Sequence, residues 1–376
     1  MSQITFSKAD ILDADIQAVI EVLNSGWLTH GKYTKQFEED LAKYTGAAHA
    51  VSVSNCTAGL HLSCLAMGVG GGDEVIVPAM THTATAHAVE FTGARAVFSD
   101  VDPLTGNTTA ELISARITAA TKGVIVVHMA GYACEMDGIV DLCRKHGLFL
   151  IEDCAHALGT YYKGKHVGTF GSLGNYSFYP TKQITTGEGG MVVSNDAGLA
   201  GFVKKNKAFG IDTPPEKRTV PGIYDVQSLG YNYRMTDFQA ALGYGQLLRY
   251  PENLRKRKEN ARHYVSRLSR LRDHVEVVPY SEDCSYFLMQ ALVRDVSRRN
   301  EVVMHLGAAG IGCSIHYATP VPLMTYYKQK YGFTEAAFPG AIAYANRNVS
   351  LPVHPYLAVE EIDQVCAALE GFFAVR

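Results

Sequence analysis

NYSFYPTKQITTGEGG, residues 175–190, is the stretch whose reading decides the fold. Its first residues include the aromatic side chains that favour strands, and Pro180 then lacks the N–H that a sheet ladder needs, so a strand must end there. Lys182 follows two residues later, ahead of Gly187, Gly189 and Gly190, and an apolar run resumes at Met191. A loop lysine is ordinarily a solvated one. Here aromatic residues precede it, glycines that permit close backbone approach follow it, and a second strand begins at once. A lysine held between two such strands can form a Schiff base with a carbonyl compound.

Outward from this stretch, short apolar runs predict strands at 50–53, 74–77, 96–100, 123–128, 149–152, 175–179 and 191–193. Helical patterns fit between several of them, at 58–67, 83–91, 110–117 and 136–146. Strands alternating with helices in this way predict an α/β fold built on a large, mainly parallel seven-stranded sheet covered by helices. A helix starts at about Thr236, and beyond Pro251 the texture shifts to a long charged helix at 252–271, two strands near 275–278 and 286–293, and helices at 299–306 and 359–373. The chain therefore reads as two units: a large α/β domain with an N-terminal helical segment over residues 1–250, and a smaller C-terminal α+β domain over 251–376. The loop 213–231 bears Pro214, Pro215 and Pro221 and is expected to be exposed.

Composition narrows the partners. The 376 residues carry 34 basic and 37 acidic side chains, net −3, which provides no field for a nucleic acid or an anionic membrane surface. No apolar run approaches the ~20 residues needed to span a bilayer. Eight cysteines include no CxxC pair, and several fall in apolar periodic segments as reduced, buried thiols do. A cytoplasmic protein that handles small molecules and copies of itself is the expectation.

Two places on the predicted sheet attract ligands. After the first strand, Asn55, Cys56, Thr57 and Ala58 open a helix whose free N–H groups and dipole favour a phosphate; the alternative is an ordinary N-cap at Asn55 or Thr57. Asp153 closes the apolar strand of IEDCAHALG, at the end where open α/β sheets place ligands, and a carboxylate there needs a partner. His82 and His87 lie five residues apart, poor spacing for joint metal ligation, and neither has a carboxylate or cysteine at ligand spacing, so no metal is predicted. The run Arg255-Lys256-Arg257-Lys258 could steer an anionic substrate but reads better as a charged helix face.

The lysine stretch, together with SGWLTHGKYTKQFEEDLAKY near the start, IEDCAHALG, and LGYNYRMTDFQAALG, resembles the DegT-type sugar aminotransferases. These are fold-type-I enzymes that use pyridoxal 5'-phosphate, and the likeness runs over nearly the whole chain in the right order. The resemblance implies that Lys182 carries the cofactor and moves protons as general base and acid, while Asp153 faces the protonated ring nitrogen. It implies that Cys56, Thr57 and Ala58 contact the phosphate, with Cys56 standing where a small residue such as glycine is common, and that the hydroxyl of Ser177 reaches the same group. His82 occupies the position of an aromatic ring stacked on the cofactor. His156 stands where relatives more often have glutamine near the ring oxygen; it could donate a hydrogen bond there, or be a structural buried histidine.

Asn232 matches an asparagine that reaches the partner's cofactor phosphate, which implies a homodimer with shared sites. His316 belongs to a segment that lines the substrate entrance, where its role stays open, and Glu188 is a further substrate candidate. The activity implied is transfer of an amino group from glutamate, by way of pyridoxamine 5'-phosphate, to a keto or aldehyde sugar. That sugar is expected to be nucleotide-linked, in amino-sugar biosynthesis for surface polysaccharide or secondary metabolites. A free or acidic sugar is the alternative acceptor. A sugar dehydratase of this family would replace the lysine by histidine, and this chain keeps Lys182. A Rossmann oxidoreductase would need a GxGxxG turn after an early strand, whereas GVGGGD at 68–73 precedes one. A non-enzymatic regulator would bind the cofactor without turning over.

Overall fold

The computed structural model describes residues 3–211, 213 and 218–374; Pro214 and Pro215 of the loop expected to be exposed lie outside these. All seven expected strands form, as β1 (His49–Val53), β2 (Glu74–Pro78), β3 (Arg95–Ser99), β4 (Thr121–Val127), β5 (Phe149–Asp153), β8 (Leu173–Ser177) and β9 (Gly190–Ser194). A two-stranded hairpin, β6 (Tyr161–Tyr162) with β7 (Lys165–His166), interrupts the series. The seven make one sheet in the order β1-β9-β8-β5-β4-β2-β3. Only β9 runs against its neighbours, pairing antiparallel with both β1 and β8, so the sheet is mainly parallel as expected.

Helices cover both faces. In chain order they are α1 (Asp13–Ser25), α2 (Lys32–Thr45), α3 (Cys56–Ala66), α4 (Thr83–Glu90), α5 (Ala110–Ser114), α6 (Met136–His146), α7 (Ala197–Asn206), α8 (Asp237–Leu268), α9 (Arg299–Ala308), α10 (Thr325–Tyr331), α11 (Pro339–Arg347) and α12 (Val359–Ala374). Successive strand residues point to opposite cores: Val75, Val77, Ile125 and Ile151 join one cluster, and Ile76, Val124, Val126 and Leu150 the other. This two-sided burial is why these strands read as continuous apolar runs rather than alternating ones.

The helix expected to start at about Thr236 and the one expected from residue 252 are a single helix, which begins at Asp237, is capped by Thr236 and runs through Pro251. An interior proline removes a backbone hydrogen bond. Burial of Leu247, Tyr250 and Leu254 on either side holds the helix regardless, and Tyr250 donates its hydroxyl to the Leu158 carbonyl at 2.6 Å. The units expected on either side of residue 250 thus share α8. Beyond it, β10 (Val275–Glu276), β11 (Met289–Val293) and β12 (Asn348–Leu351) form a small antiparallel sheet with its own core. Strand β12 and helices α10 and α11 have no counterpart in the sequence reading.

Close packing at the start of α3 depends on glycine. A Cβ on Gly190 would lie 2.7 Å from the Asn55 carbonyl carbon and the Cys56 nitrogen, both backbone atoms that cannot swing away. A Cβ on Gly59 would meet Asn175 and Val192 at 2.9 and 3.0 Å. Gly190→Ala should therefore lower stability to urea by about 1–3 kcal/mol, and it should displace the first turn of α3. An unchanged denaturation midpoint would show that the turn tolerates a methyl group.

Candidate active site

Residues at or just beyond the carboxyl ends of β1, β2, β5 and β8 converge, as ligand-binding residues of open α/β sheets do. Asp153 ends β5 and is buried. Its Oδ2 accepts from the Thr85 hydroxyl at 2.8 Å and its Oδ1 from the Ala155 N–H at 3.0 Å. Burial raises its carboxyl above the usual range, against the pull of Thr85, Ala155 and Lys182. Lys182 lies in the turn after β8, where its N–H donates to the Tyr179 carbonyl at 2.9 Å. Its Nζ sits 4.3 Å from the centroid of the Phe287 ring, and desolvation lowers the amine to about 8 although Asp153 pulls it the other way.

Charge on Lys182 is felt at Cys56, His82, His156 and His316, and charge on Asp153 at Cys56 and His82, so these expected residues do gather around one point. Helix α3 begins at Cys56 with Asn55 as its N-cap. The Asn55 Oδ1 takes the Ala58 N–H at 2.8 Å, which leaves those of Cys56 and Thr57 without an intrahelical acceptor. Ala58 is thus occupied by the cap, and an anion at this terminus has the two preceding N–H groups available. Ser177 ends β8 opposite Gly190, beside the same turn.

The histidines are each engaged. His82 caps α4, its Nδ1 accepting from the Ala84 N–H at 3.2 Å, and its ring meets Tyr317 edge-on at 6.0 Å. His156 is buried and stacks on Phe287 at 4.4 Å. Burial holds it neutral; Nδ1 accepts from the Ala130 N–H at 3.4 Å, so Nε2 carries the proton and faces the Tyr317 hydroxyl at 3.2 Å. The donor expected for a cofactor oxygen is therefore directed to Tyr317. His316 bonds Ser350 at 3.0 Å and stacks on Phe6, and burial brings it down to about 4. Asn232 and Glu188 are exposed, and among the described contacts neither side chain bonds to the residues of this site.

Thr85, Phe287 and Tyr317 are site residues that the sequence reading missed. Thr85 lies one helical turn from Thr81, with which it shares a hydroxyl contact of 2.7 Å, but nothing in the sequence pairs it with Asp153. Phe287 and Tyr317 arrive from the region after α8, so only packing brings Phe287 to Lys182 and Tyr317 to His82 and His156.

One cluster resembles a metal site: His128, Glu152 and Cys154 offer ligand atoms within 4.8 Å of one another. Glu152 is already satisfied, accepting from the N–H groups of Gly168, Phe170 and Gly171 at 2.7 Å and from His128 at 3.1 Å. The His128 Nδ1 in turn accepts from the Cys134 N–H at 3.1 Å. The polar groups of this knot are paired without a cation.

A desolvated amine, a buried carboxylate with no cation bonded to it among the described residues and an open helix N-terminus have the complementary chemistry for an aldehyde, a protonated ring nitrogen and a phosphate, and so fit pyridoxal 5'-phosphate. The fold and site are those of a fold-type-I pyridoxal-phosphate-dependent transferase. The chain belongs to the DegT/DnrJ/EryC1/StrS aminotransferase family, whose model matches residues 9–370. It is 36% identical to the GDP-perosamine synthase of Escherichia coli O157:H7, over 100% of both chains. It is 35% identical to the UDP-4-amino-4-deoxy-L-arabinose–oxoglutarate aminotransferase of Shewanella sediminis, over 95% of each. Among solved structures, Spr1654 of Streptococcus pneumoniae superposes with a TM-score of 0.92 at 31% identity over 98% of each chain, in both pyridoxal and pyridoxamine phosphate forms.

The lowered lysine sets a pH dependence. In the cofactor-free protein, labelling of Lys182 by an amine reagent should reach half its maximum near pH 8 rather than at the ordinary 10.5. Between these values the unfolded chain binds the proton and the folded one does not, so the contribution of Lys182 to stability rises with pH across that window. Lys182→Met should flatten the slope. A half-maximum near 10.5 would contradict the desolvated setting.

Proposed function

We propose that this protein transfers an amino group from glutamate to the carbonyl of a nucleotide-linked keto-deoxyhexose, as a cytoplasmic homodimer with shared sites. The observation that carries the proposal is the placement of Lys182, in the turn after β8 with its Nζ 4.3 Å from the Phe287 ring, within electrostatic reach of the buried Asp153 at the end of β5. The names of the E. coli and S. sediminis relatives support a nucleotide sugar, and oxoglutarate in the second supports glutamate as donor. The eight unpaired cysteines suit a reducing compartment, and no helix among the described residues is long and apolar enough to cross a membrane.

When bound, pyridoxal phosphate supplies an electrophilic carbonyl and an electron-poor ring. Lys182 would hold it by Nζ and, as a free amine, would take a proton from the donor's α-carbon as base and deliver it to the cofactor carbon as acid; an amine lowered to about 8 is close enough to neutral pH to do both. Asp153 presents negative charge at the floor of the site, aimed by Thr85 and Ala155. The N–H groups of Cys56 and Thr57, with the Ser177 hydroxyl, receive the phosphate, and Ala58 fixes the cap that exposes them. His82 stacks beside the ring, His156 orients Tyr317, and Phe287 shields Lys182 from water. His316 and Glu188 border the acceptor. Asn232, exposed here, reaches the phosphate in the partner subunit.

Incubating the pyridoxamine form with nucleotide-linked keto sugars, free keto sugars, sugar acids and simple 2-oxo acids tests the acceptor. Return of the pyridoxal absorbance is expected with the nucleotide-linked sugars. Return with 2-oxo acids alone would replace the sugar assignment by an amino-acid aminotransferase, and a preference for free or acidic sugars would relocate the substrate. Asp153→Asn should lower kcat by about 10²–10³-fold with a smaller loss of cofactor binding. Mixing Asn232→Ala with Lys182→Ala chains should restore part of the activity, because hybrid dimers regain one site that has both residues. No restoration after verified subunit exchange would place Asn232 in its own chain's site.

A further inference from the structure

Of the four consecutive cations on α8, three are engaged at the exposed surface. Arg255 pairs with Glu252 at 2.7 Å and with Glu259, Lys256 lies 3.9 Å from Glu252, and Lys258 donates to the Glu282 carbonyl. Arg257 is turned inward and is 4% exposed. Its Nη1 reaches the Tyr286 carbonyl at a long 3.4 Å and its Nε has no partner. Among the described residues no carboxylate forms an ion pair with it. A guanidinium does not shed its proton in a protein, so its charge stays, and a buried charge with no counter-ion is strongly unfavourable.

Arg257 lines a cavity with Phe6, Ser7, Thr181, Phe287 and His354. The enclosed space is about 10 Å³, room for one water-sized group such as a single carboxylate oxygen or a small ion. The cavity adjoins the lysine: Thr181 precedes Lys182 in the chain, and the Phe287 ring lies 4.3 Å from Nζ. His354 donates its Nε2–H to the Thr5 carbonyl at 3.2 Å, so its unpaired Nδ1 is an acceptor and Arg257 alone among the lining residues supplies positive charge to the cavity.

We propose that Arg257 forms a binding site for a small monoanion next to Lys182, filled by a carboxylate oxygen of the amino donor or by an inorganic halide. The donor arm rests on the reading of this chain as a glutamate-dependent aminotransferase. A carboxylate matches the guanidinium in charge and geometry, and Ser7 can add a hydroxyl donor.

The test compares the cofactor-loaded wild type with Arg257→Met, which keeps length and removes charge, and with Arg257→Lys, which keeps charge if the first fails to fold. Binding of succinate and of chloride is measured by calorimetry, and the glutamate and sugar half-reactions are timed separately. For a donor carboxylate, Arg257→Met should lose succinate binding and at least tenfold in kcat/KM for glutamate, against less than threefold for the sugar. Arg257→Lys should recover part of both. Chloride binding that depends on Arg257, with an unchanged glutamate half-reaction, would uphold the site and assign it to a halide. Equal losses in both half-reactions with anion binding intact, or wild type binding neither probe, would overturn it. Failure of the wild type to aminate any sugar while Arg257-dependent anion binding persists would overturn the functional proposal and leave this site standing.

Discussion

The site depends on an electrostatic demand: the carboxylate of Asp153 is buried at the end of β5, with two neutral donors and no cation within ion-pair distance among the described residues. Burial favours the protonated form, so a cationic partner brought to this carboxylate would recover what desolvation costs. The neighbouring groups are arranged around that demand. Lys182 sits within electrostatic reach and is itself destabilised as a cation by the same burial. Each charge would favour the other, yet among the described residues no hydrogen bond or ion pair joins them, which leaves both for a ligand to engage.

The adjacent Glu152 shows how specific this arrangement is. It occupies the same strand, one residue earlier and therefore on the opposite face. Burial alone would raise its carboxyl too, but the hydrogen bond from His128 and the N–H groups of Gly168 and Gly171 bring it below the usual range. Two consecutive buried acids thus diverge: Glu152 knots the loop between β5 and β8, and Asp153 keeps unsatisfied charge for a ligand. The same logic separates Arg257 from its three neighbours on α8, since the exposed cations find acids or carbonyls in their own chain and the buried one finds only a distant carbonyl.

Rigidity around the lysine comes from polar ties between distant segments. The Gln183 Nε2 donates to the His156 carbonyl at 3.0 Å and to the Ser285 hydroxyl at 3.2 Å, and the Thr160 hydroxyl contacts the Ser285 hydroxyl at 2.9 Å. These buried bonds join the lysine turn to the segment after β5 and to the region beyond α8. A network of this kind holds the residue next to Lys182 in one position, which a loop lysine in water would not have.

The sequence by itself determined the sheet, because a strand buried on both faces must be apolar throughout, and seven such runs stand out between helical patterns. It also determined Lys182 and Asp153 as candidates, since proline, glycine and strand ends mark where a polar side chain can project from an apolar core. The N-terminus of α3 was legible from Asn55, although the cap's claim on Ala58 was not. Only the tertiary structure decided which residues surround these two. Thr85, Phe287 and Tyr317 meet the site through packing between segments far apart in the chain, and no local periodicity encodes such pairings. It also decided that α8 continues through Pro251, because core packing on both sides outweighs the missing hydrogen bond. Finally, it turned Arg257 inward from a run of four cations, since the sequence shows four like charges and only the fold shows which one has lost its water.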